Sequence, residues 1–524
     1  MTKKLAVIDL ETDPFLHDRE PVPFVSGYYD GHIFKPIWDD SECISKTVAW
    51  LSSLTEPRII YCHNGGKFDF YYFLHWIKAD LRIVNGRIIQ AKLGQHELRD
   101  SFAIMPFALK QYKKDDIDYS KMERDVRNRH REEILEYLRG DCVYLFELVT
   151  AYWQEFGDVL TIGSASMKQL KKFHKFSCGG KEYDEKFRKT FYFGGRVQAF
   201  RSGVLHERLS VLDVNSMYPF VMKTYPHPIG TGFEVSKRIE RNTCFVVATG
   251  YQHDEIKPFL SRGKDKLNYD LRGGTFGCTI HEWQAAEDTN SFHCLKIEKT
   301  YGFRNRDCFD TFVDHFYEGR LKAKAVNDKV HDLFYKFVLN SCYGKFAQNP
   351  ENYFEWMITE FEAPPPSDPP WQMEALCMYR YILWKKPLKE FRYYNIATAA
   401  SITGAARAVL LRGLYQVTGL AYCDTDSIIA RTSGKLELNS ERLGAWKIEA
   451  TADHAAIAGR KLYALTDANH KLVKQASKGN HVDYREIFRV AQDPNYEIVW
   501  DNPVPNFKLD GSTSFTSRRV RRTC

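Results

Sequence analysis

The chain has 524 residues, with 44% hydrophobic and 27% charged residues and a formal net charge of +7. These proportions are ordinary for folded proteins and exclude collagen-like, disulfide-scaffold and wholly disordered chains. The length predicts about two to four domains. The small basic excess permits a nucleic-acid partner without demonstrating one.

Cysteine spacing and the N-terminal residues bear on compartment and on the kind of metal site. The 12 cysteines contain no C-x-x-C pair, which favours reduced, packed thiols over a zinc ribbon or a thioredoxin-type site. Asp9 interrupts the first apolar stretch too early for a signal peptide. No apolar run reaches the roughly 18 residues of a membrane span. We therefore expect a cytoplasmic protein with no membrane partner.

Acidic residues follow two predicted strands near the N-terminus. Residues 5–10 are an apolar run of strand length, and Asp9 and Glu11 share one face because side chains alternate along a strand. A second strand-like run, residues 58–62, precedes Asp69. Taken alone, such acids are commonly only a polar turn after a strand.

A predicted helix adds a fourth carboxylate. Apolar periodicity over residues 132–153 indicates a helix on which Tyr137 and Asp141 lie four residues apart. Carboxylate oxygens are the natural ligands of magnesium or manganese. Two such ions can activate water and stabilise the leaving oxygen in phosphodiester hydrolysis, and Tyr137 could orient that water. If the four acids converge, the sequence predicts a metal-dependent nuclease site.

Another apolar strand ends at Asp213 and is followed by a turn that Pro219 closes. Next to Pro219, Tyr218 can stack under a deoxyribose and sterically exclude a 2′-hydroxyl, the group that distinguishes RNA from DNA. This arrangement favours DNA as the product of any synthesis at the site.

Residues 322–347 form a second helical pattern, with Lys336, Asn340 and Tyr343 on one side. Lys336 would neutralise charge on a triphosphate, and Tyr343 would pack against an incoming base pair. The helix therefore offers a cationic face for a nucleotide.

Asp424 and Asp426 lie at a tight bend between two apolar runs, and strand alternation would point both side chains the same way. Such a bend could also be a solvated hairpin tip. Nucleotidyl transfer needs carboxylates for two ions, one activating the primer hydroxyl and one holding pyrophosphate. Asp213 and Asp426 are the predicted metal ligands, with Asp424 as a third carboxylate.

The motifs resemble two known groups of enzymes. The segments around Asp9, Asp69 and Asp141 are similar to the three exonuclease motifs of the DEDD superfamily, in its tyrosine-containing subclass. The motifs D-x-x-S-[LM]-Y-P, K-x-x-x-N-S-x-Y-G and Y-C-D-T-D-S resemble those of family B DNA polymerases. More narrowly, four further segments resemble the protein-primed replicative polymerases of tectiviruses and small tailed phages: Tyr192-Phe193-Gly194-Gly195, Thr403-Gly404-Ala405-Ala406-Arg407, Leu443-Gly444-Ala445-Trp446 and Lys461-Leu462-Tyr463.

The resemblance implies roles for individual residues. It implies exonuclease metal ligands at Asp9, Glu11, Asp69 and Asp141, with Tyr137 and Lys114 as further catalytic residues. It implies contacts with single-stranded DNA at Asn64, Phe68 and Ser101. It implies template or primer contacts at Tyr192, Gly194, Gly195, Thr403, Arg407, Lys461 and Tyr463. It implies nucleotide contacts at Tyr218, Lys336, Asn340 and Tyr343.

The implied fold is a multidomain α/β and α+β protein, in which a DEDD-type, RNase H-like exonuclease domain precedes a right-hand polymerase with two insertions. The expected boundaries are exonuclease 1–190, palm 191–235 and 394–445, first insertion with part of the palm 236–320, fingers 321–349, second insertion 350–393, and thumb with the C-terminal tail 446–524. The first insertion is expected to contact the priming protein.

The implied activity is DNA-directed DNA synthesis with 3′–5′ proofreading, protein-primed initiation and strand displacement. Each site would use two Mg²⁺ or Mn²⁺ ions, with deoxynucleoside triphosphates (dNTPs) as substrates. The expected partners are template and primer DNA, a terminal protein and a single-stranded DNA-binding protein, in the host bacterial cytoplasm if the chain is viral. The alternatives are a nuclease with a decayed polymerase half, a non-catalytic DNA-binding protein, and a family B polymerase that uses no terminal protein.

Overall fold

The N-terminal domain is built on a seven-stranded sheet in the order β3-β2-β1-β4-β7-β6-β5. Its strands are β1 (Lys4–Thr12), β2 (Pro23–Tyr29), β3 (Phe34–Trp38), β4 (Arg58–Cys62), β5 (Ile77–Val84), β6 (Arg87–Leu93) and β7 (His96–Asp100). Strand β4 runs parallel to both of its neighbours, β1 and β7. The predicted strand 58–62 is confirmed, and the strand predicted at 5–10 extends over β1.

Among the described residues, this part of the chain has the α-helices α1 (Cys43–Ser53), α2 (Asp69–Tyr72), α3 (Arg131–Phe156), α4 (Ile162–Phe173) and α5 (Glu185–Phe191). The long α3 buries its apolar stripe, including Ile134, Leu138 and Leu145, against the sheet. Gly27 of β2 permits this close packing, because a methyl group there would lie 2.8 Å from Leu138. The helix predicted over 132–153 is therefore confirmed as part of α3.

This computed structural model describes residues 4–177, 185–230, 232–253, 256–262, 267–269, 271–348, 353–367, 370–377, 381–388, 393–479 and 481–523. After α5 come β8 (Val197–Ala199), β9 (Gly203–Val214) and α6 (Met217–Thr224). The next segment contains β10 (His227–Pro228), β11 (Glu234–Ser236), β12 (Thr243–Gln252), β13 (Ser261–Arg262), β14 (Leu267–Asn268), β15 (Gly273–Thr279), α7 (Ile280–Asp288), β16 (Phe292–Gly302) and β17 (Arg306–Asp307). Strands β11, β16, β12 and β15 form its antiparallel sheet.

Two helices follow, α8 (Asp310–Ala325) and α9 (Lys329–Phe346), and they form an antiparallel hairpin. The single helix predicted over 322–347 is wrong, because the chain turns between α8 and α9. Asn327 has a positive φ of 56°, a conformation that asparagine adopts more readily than most residues. The Asp328 carboxylate then caps α9 by accepting a hydrogen bond from the His331 amide at 3.1 Å.

A small sheet with the order β18-β20-β19 connects the helical hairpin to the rest of the chain. Its strands are β18 (Phe354–Glu360), β19 (Gln372–Cys377) and β20 (Tyr381–Pro387). The indole of Trp356 donates a hydrogen bond to the Ile83 carbonyl at 3.3 Å, so β18 lies against β5 of the N-terminal domain. This insertion therefore bridges two parts of the molecule.

The remaining elements are α10 (Ile396–Leu414), β21 (Thr418–Asp424), β22 (Ser427–Thr432), β23 (Trp446–Gly459), β24 (Leu462–Thr466), β25 (Leu472–Ser477), α11 (Tyr484–Gln492), β26 (Glu497–Asp501), β27 (Asn506–Phe507), β28 (Thr513–Ser514) and β29 (Ser517–Arg521). Seven strands form the second large sheet, in the order β25-β24-β23-β9-β22-β21-β8. The C-terminal hairpin of β27 and β28 returns to the N-terminal domain, where Phe507 stacks on Tyr71 at 5.5 Å. None of the described helices is long and apolar enough to cross a membrane.

A buried histidine between α6 and α10 gives the fold a pH dependence. His227 is fully buried, donates from Nε2 to the Val221 carbonyl at 3.0 Å and accepts from the Ser401 hydroxyl at Nδ1 at 2.9 Å. Burial lowers the pKa of His227 from 6.5 to about 4. Between these values the unfolded chain binds a proton that the folded protein does not, so stability decreases as the pH falls.

We expect His227 to contribute about 2.5 kcal/mol to the fall in unfolding free energy between pH 6.5 and pH 4. The measurement is urea unfolding of the wild type and of His227→Gln, which keeps a donor for Val221 but does not titrate. The variant should be less stable near neutral pH and less sensitive to acid. Equal pH dependence in the two proteins would contradict a neutral buried His227.

Candidate active sites

The N-terminal acids converge on one site at the end of β1. Ligand atoms of Asp9, Glu11 and Asp141 all lie within 4.8 Å of one another, and those of Asp9, Cys62 and Asp69 form a second such group. Strand β1 supplies the first two acids, α2 begins at Asp69, and α3 presents Asp141. The predicted convergence of four carboxylates is therefore present in the structure, with Asp9 common to both groups.

Glu11, Asp69 and Asp141 are buried, Asp9 is half-buried, and the four carboxylates repel one another. Burial, with the charge of Asp141 as a further cause, raises the pKa of Glu11 to about 8. Burial also raises the pKa of Asp69 to about 7 and that of Asp9 well above its usual value. Asp141 Oδ1 is buried and accepts no hydrogen bond. A set of crowded oxygen donors with an unused buried oxygen fits divalent cations well.

Tyr137 and Lys114 lie beside the acids. The Lys114 ammonium is 3.3 Å from Asp141 Oδ2 and 5.3 Å from the centre of the Tyr137 ring. The Tyr137 and Tyr119 hydroxyls are 3.1 Å apart. Burial raises the pKa of Tyr137 above its usual range, so the phenol stays protonated. Tyr119 has no motif around it, and sequence reasoning missed it.

The three residues predicted to contact single-stranded DNA differ in exposure. Asn64 accepts a hydrogen bond from Arg87 at 2.9 Å. Phe68 is partly exposed and packs edge-on against neighbouring rings, including Phe507 at 5.5 Å. Ser101 is completely buried, with its hydroxyl 2.9 Å from His63 Nδ1. A direct DNA contact at Ser101 does not match this burial, and Arg87 is an unpredicted cation beside Asn64.

Asp213 and Asp426 meet in the second large sheet. Asp213 on β9 pairs in register with Ser427 on β22, and the Val214 amide donates to the Asp426 carbonyl at 2.9 Å. Burial, and then the charge of Asp213, raise the pKa of Asp426 to about 6. Lys447 on the neighbouring strand lies 3.2 Å from Asp213. The two predicted metal ligands are thus adjacent.

Unlike Asp213 and Asp426, Asp424 is bound at both of its oxygens by one lysine. Both of its carboxylate oxygens accept hydrogen bonds from Lys461, at 2.7 and 2.6 Å. Asp424 pairs with Ser427 as the end of β21, so Asp426 lies in the intervening turn, where Thr425 has a φ of 62°. The two acids therefore do not lie on one continuous strand, so strand alternation, on which the prediction of a shared direction is based, does not extend to Asp426.

The helical hairpin presents the predicted nucleotide face. Lys336 and Asn340 are exposed on α9, and the half-buried Tyr343 ring stacks on Tyr218 with centroids 4.0 Å apart and an angle of 9°. Burial raises the pKa of Tyr218 above its usual range. The predicted one-sided arrangement of the α9 residues is present, and the two tyrosines form one aromatic surface.

The segment around Tyr192 supports the acidic turn. The Thr425 amide donates to the Arg196 carbonyl at 2.7 Å. At Gly195 a methyl group would lie 2.6 Å from Thr425 Oγ1, whereas at Gly194 it would meet nothing within 4 Å. The backbone of this loop therefore contacts the turn that carries Asp426.

Three further residues predicted to contact DNA are buried. Thr403 is 2% exposed, and its hydroxyl donates to the Ala400 carbonyl at 3.2 Å. Arg407 is 5% exposed and pairs with Glu282. Tyr463 is 5% exposed and packs on Tyr422. The direct contacts predicted at these positions do not match the burial, because the side chains pack inside the fold.

An open basic cleft lies next to the turn. Its volume is about 360 Å³, and its lining residues are Gly195, Val197, Leu267, Tyr269, Arg460, Lys461 and Lys478. Three cations around an open cavity suit a phosphate backbone. Of these three, only Lys461 was predicted from the sequence.

A palm-like sheet that carries paired acids beside a helical hairpin, preceded by an N-terminal α/β domain with its own acidic cluster, is the arrangement of a nucleic-acid polymerase. The model of the family "DNA polymerase type B, organellar and viral" matches residues 109–368. The DNA-directed DNA polymerase of Enterobacteria phage PRD1 is 43% identical over 550 residues, covering 99% of this chain and 98% of the relative. The chain therefore belongs to the viral type B DNA polymerases and is a DNA-directed DNA polymerase.

More distant similarities are also to DNA polymerases. The DNA polymerase of Bacillus phage Nf is 25% identical, covering 67% of this chain and 69% of its own. Phi29 DNA polymerase in complex with single-stranded DNA superposes with a TM-score of 0.73 at 18% identity, over 99% of this chain and 100% of that chain. These likenesses confirm the predicted fold of an exonuclease-type domain followed by palm, fingers and thumb.

The contact between Gly195 and Thr425 can be tested by adding one methyl group. In Gly195→Ala the new carbon would lie 2.6 Å from a β-branched side chain in a strained turn, so the turn must move. We expect the rate of primer extension to fall about tenfold or more, since small displacements of reacting groups are costly. Single-nucleotide insertion kinetics measure this rate.

Gly194→Ala is the matched comparison, because its methyl group meets no atom within 4 Å. At saturating primer–template it should lower the insertion rate much less than Gly195→Ala does, because a weakened DNA contact at Gly194 would change the affinity for DNA and not the maximal rate. Equal losses in the two variants would show that contact with Thr425 is not the reason for the glycine.

Proposed function

We propose that this DNA polymerase also removes nucleotides from 3′ ends at its N-terminal acidic cluster, starts synthesis on a protein hydroxyl and displaces the non-template strand as it copies. The proposal includes replication of a linear viral genome in the host bacterial cytoplasm. The observation that carries the two-site part is the presence of two separate sets of carboxylates, one clustered around Asp9 in the N-terminal domain and one formed by the adjacent, half-buried Asp213 and Asp426. The family membership supports the remainder.

At the palm site, Asp213 and Asp426 would hold the catalytic ions, which we propose to be Mg²⁺ with Mn²⁺ as a substitute. Bound there, divalent ions would lower the pKa of the primer hydroxyl and neutralise the phosphates. Lys461 keeps Asp424 neutralised, so Asp424 supports the turn. Lys336 and Asn340 would hold the triphosphate of the incoming dNTP.

The aromatic pair sets the sugar preference. Tyr343 would pack on the base pair, and Tyr218 beneath it would exclude a 2′-hydroxyl. Their stacking at 4.0 Å supports this role, because each ring fixes the other. The product would therefore be DNA.

At the N-terminal site, Asp9, Glu11, Asp69 and Asp141 would hold divalent ions for hydrolysis. Tyr137 stays protonated and can donate a hydrogen bond that orients the attacking water. Lys114 can balance negative charge on the scissile phosphate. The residues of this chain thus supply the ligands, an orienting hydroxyl and a cation.

DNA would pass between the two sites. Asn64 and Phe68 would contact single-stranded DNA near the exonuclease site, and aromatic rings are suitable stacking platforms. Tyr192, Gly194 and Lys461 would contact template or primer near the palm. The known structures of phi29 DNA polymerase include complexes with single-stranded DNA and with primer–template DNA and incoming nucleotide, and we propose both modes for this chain.

The proposed domains follow the predicted boundaries, with one change. A fingers boundary at residue 321 would divide α8, so we place the fingers at residues 310–346, which contain both helices of the hairpin. We propose that the first insertion, before this hairpin, contacts the terminal protein. The second insertion lies against the N-terminal domain and would enclose the template, supporting strand displacement.

Substitutions in one site should abolish the activity of that site and leave the activity of the other site intact. Asp213→Asn or Asp426→Asn should reduce primer extension by a factor of about a thousand or more, because each removes a ligand of the catalytic ions. The doubly substituted Asp9→Asn, Asp69→Asn protein should lose excision of mismatched 3′ ends by a similar factor. Extension and excision are measured on one labelled primer–template, with and without Mg²⁺.

Each set of variants is the control for the other. Palm variants should still degrade single-stranded DNA, and N-terminal variants should still extend matched primers. Extension near the wild-type rate by Asp213→Asn would reject the palm assignment. Excision that persists in the N-terminal variant would place the nuclease elsewhere.

Protein priming is tested separately. Purified polymerase, its terminal protein, template and a labelled dNTP should yield a terminal protein that carries covalent label, and Asp426→Asn should abolish the labelling. If the enzyme extends DNA primers but labels no protein, the alternative of a primer-dependent family B polymerase is correct.

A further inference from the structure

A buried ion pair joins the first insertion to the palm. Arg407 on α10 donates from Nε to Glu282 Oε1 on α7 at 2.7 Å, and both side chains are only 4% exposed. A buried guanidinium without a counter-ion is costly, and a buried pair is retained only where its geometry is well satisfied. Glu282 therefore sets the position of Arg407.

The arginine in turn holds a loop next to the palm turn. Arg407 Nη1 donates to the Phe193 carbonyl at 2.6 Å and to the Gly194 carbonyl at 2.9 Å. One planar guanidinium thus makes three hydrogen bonds in fixed directions, which a lysine ammonium at the same place would not reproduce. Arg407 is therefore held through Nε and Nη1, while its buried Nη2 has no hydrogen-bond partner among the described residues.

The Glu282 carboxylate also accepts hydrogen bonds at the start of its own helix, and these bonds fix its position. Its Oε2 accepts from the Thr279 amide at 3.0 Å and from the Thr279 hydroxyl at 2.9 Å, as part of a capping box at the start of α7. Gly404 of α10 packs directly on Thr279, where a methyl group would lie 2.3 Å from Oγ1. Helices α7 and α10 are therefore locked in register at this point.

The chain of contacts ends at the acidic turn. The residues directly after Gly194 lie against Thr425. A methyl group on Gly195 would be 2.6 Å from Thr425 Oγ1, and the Arg196 carbonyl accepts a hydrogen bond from the Thr425 amide at 2.7 Å. Glu282 is thus connected to the turn through Arg407 and the loop 193–196. Each link is a hydrogen bond or a close contact with the backbone.

We propose that Glu282 is a positioning residue for nucleotidyl transfer, which fixes Arg407, the loop 193–196 and through them the turn that carries Asp426. The first insertion then contributes to the geometry of the palm site as well as to any partner contact. This inference rests on the proposed role of Asp426 as a metal ligand. If Asp426→Asn still extends primers, that role fails whatever Glu282 does.

The competing view is that Arg407 binds a DNA phosphate directly. The two views predict opposite effects for Glu282→Gln. A phosphate-binding Arg407 would be released from its counter-ion, so primer–template DNA would bind as tightly as before or more tightly, and insertion would persist. A positioning role predicts slower insertion with unchanged DNA affinity.

The test is Glu282→Gln in the full-length enzyme, with single-turnover insertion of one dNTP and separate measurement of primer–template Kd over a range of salt. We expect the maximal insertion rate to fall about tenfold or more, with Kd and its salt dependence within about twofold of the wild type. An unchanged insertion rate would overturn the proposal, and so would a loss confined to DNA affinity.

Glu97→Gln is the matched control. Glu97 accepts from Arg99 Nε at 2.5 Å in the N-terminal domain, which is the same type of contact around an arginine that is also 4% exposed. Its insertion rate should stay close to that of the wild type. An equal loss in both variants would show a general effect of weakening the fold.

Arg407→Lys keeps the proposal testable if Glu282→Gln does not fold. It retains the positive charge for Glu282 but cannot also hold two carbonyls, so insertion should again fall about tenfold with little change in DNA affinity. Near wild-type insertion by Arg407→Lys would show that charge alone is required, and the positioning role would be rejected.

Discussion

Both sites depend on acidic side chains that the fold holds close together. Their negative charges repel one another, so the surrounding structure must keep them in place. At the N-terminal site, burial raises the pKa of Glu11 and Asp69 into the neutral range, and Lys114 alone does not balance four carboxylates. Such a cluster is unfavourable without added positive charge, so the scaffold must hold it rigidly until cations bind. Strand β1 and the long helix α3 provide that rigidity, because both are packed into the core.

At the palm site, lysine side chains offset part of the repulsion between the carboxylates. Lys447 lies beside Asp213, and Lys461 neutralises Asp424. Asp426 lies in the strained turn, where burial and then the charge of Asp213 raise its pKa. The support for that turn comes from backbone contacts of the loop 193–196, which a buried arginine holds in place. Geometry at this site is therefore set by residues far apart in sequence.

Local patterns predicted most of the elements that carry the chemistry. The strand 58–62, the helix α3 and the meeting of Asp9 with Asp141 follow from apolar periodicity and acid spacing. The break between α8 and α9 was missed, because it rests on the positive φ of one asparagine. The burial of Arg407 was also missed: α10 is buried on almost all sides, and an arginine in such a helix has its partner on another element. Glu282 has no motif around it, so only tertiary contacts reveal it.

The central claim is that two independent carboxylate clusters each bind divalent ions. Mn²⁺ binding followed by electron paramagnetic resonance, on the enzyme with primer–template DNA and a non-hydrolysable nucleotide, tests it most directly. The account predicts that Asp9→Asn and Asp213→Asn each lose ions from one cluster and retain those of the other, while the double variant loses both sets. Loss of all bound ions in either single variant, or wild-type binding by the double variant, would contradict the account.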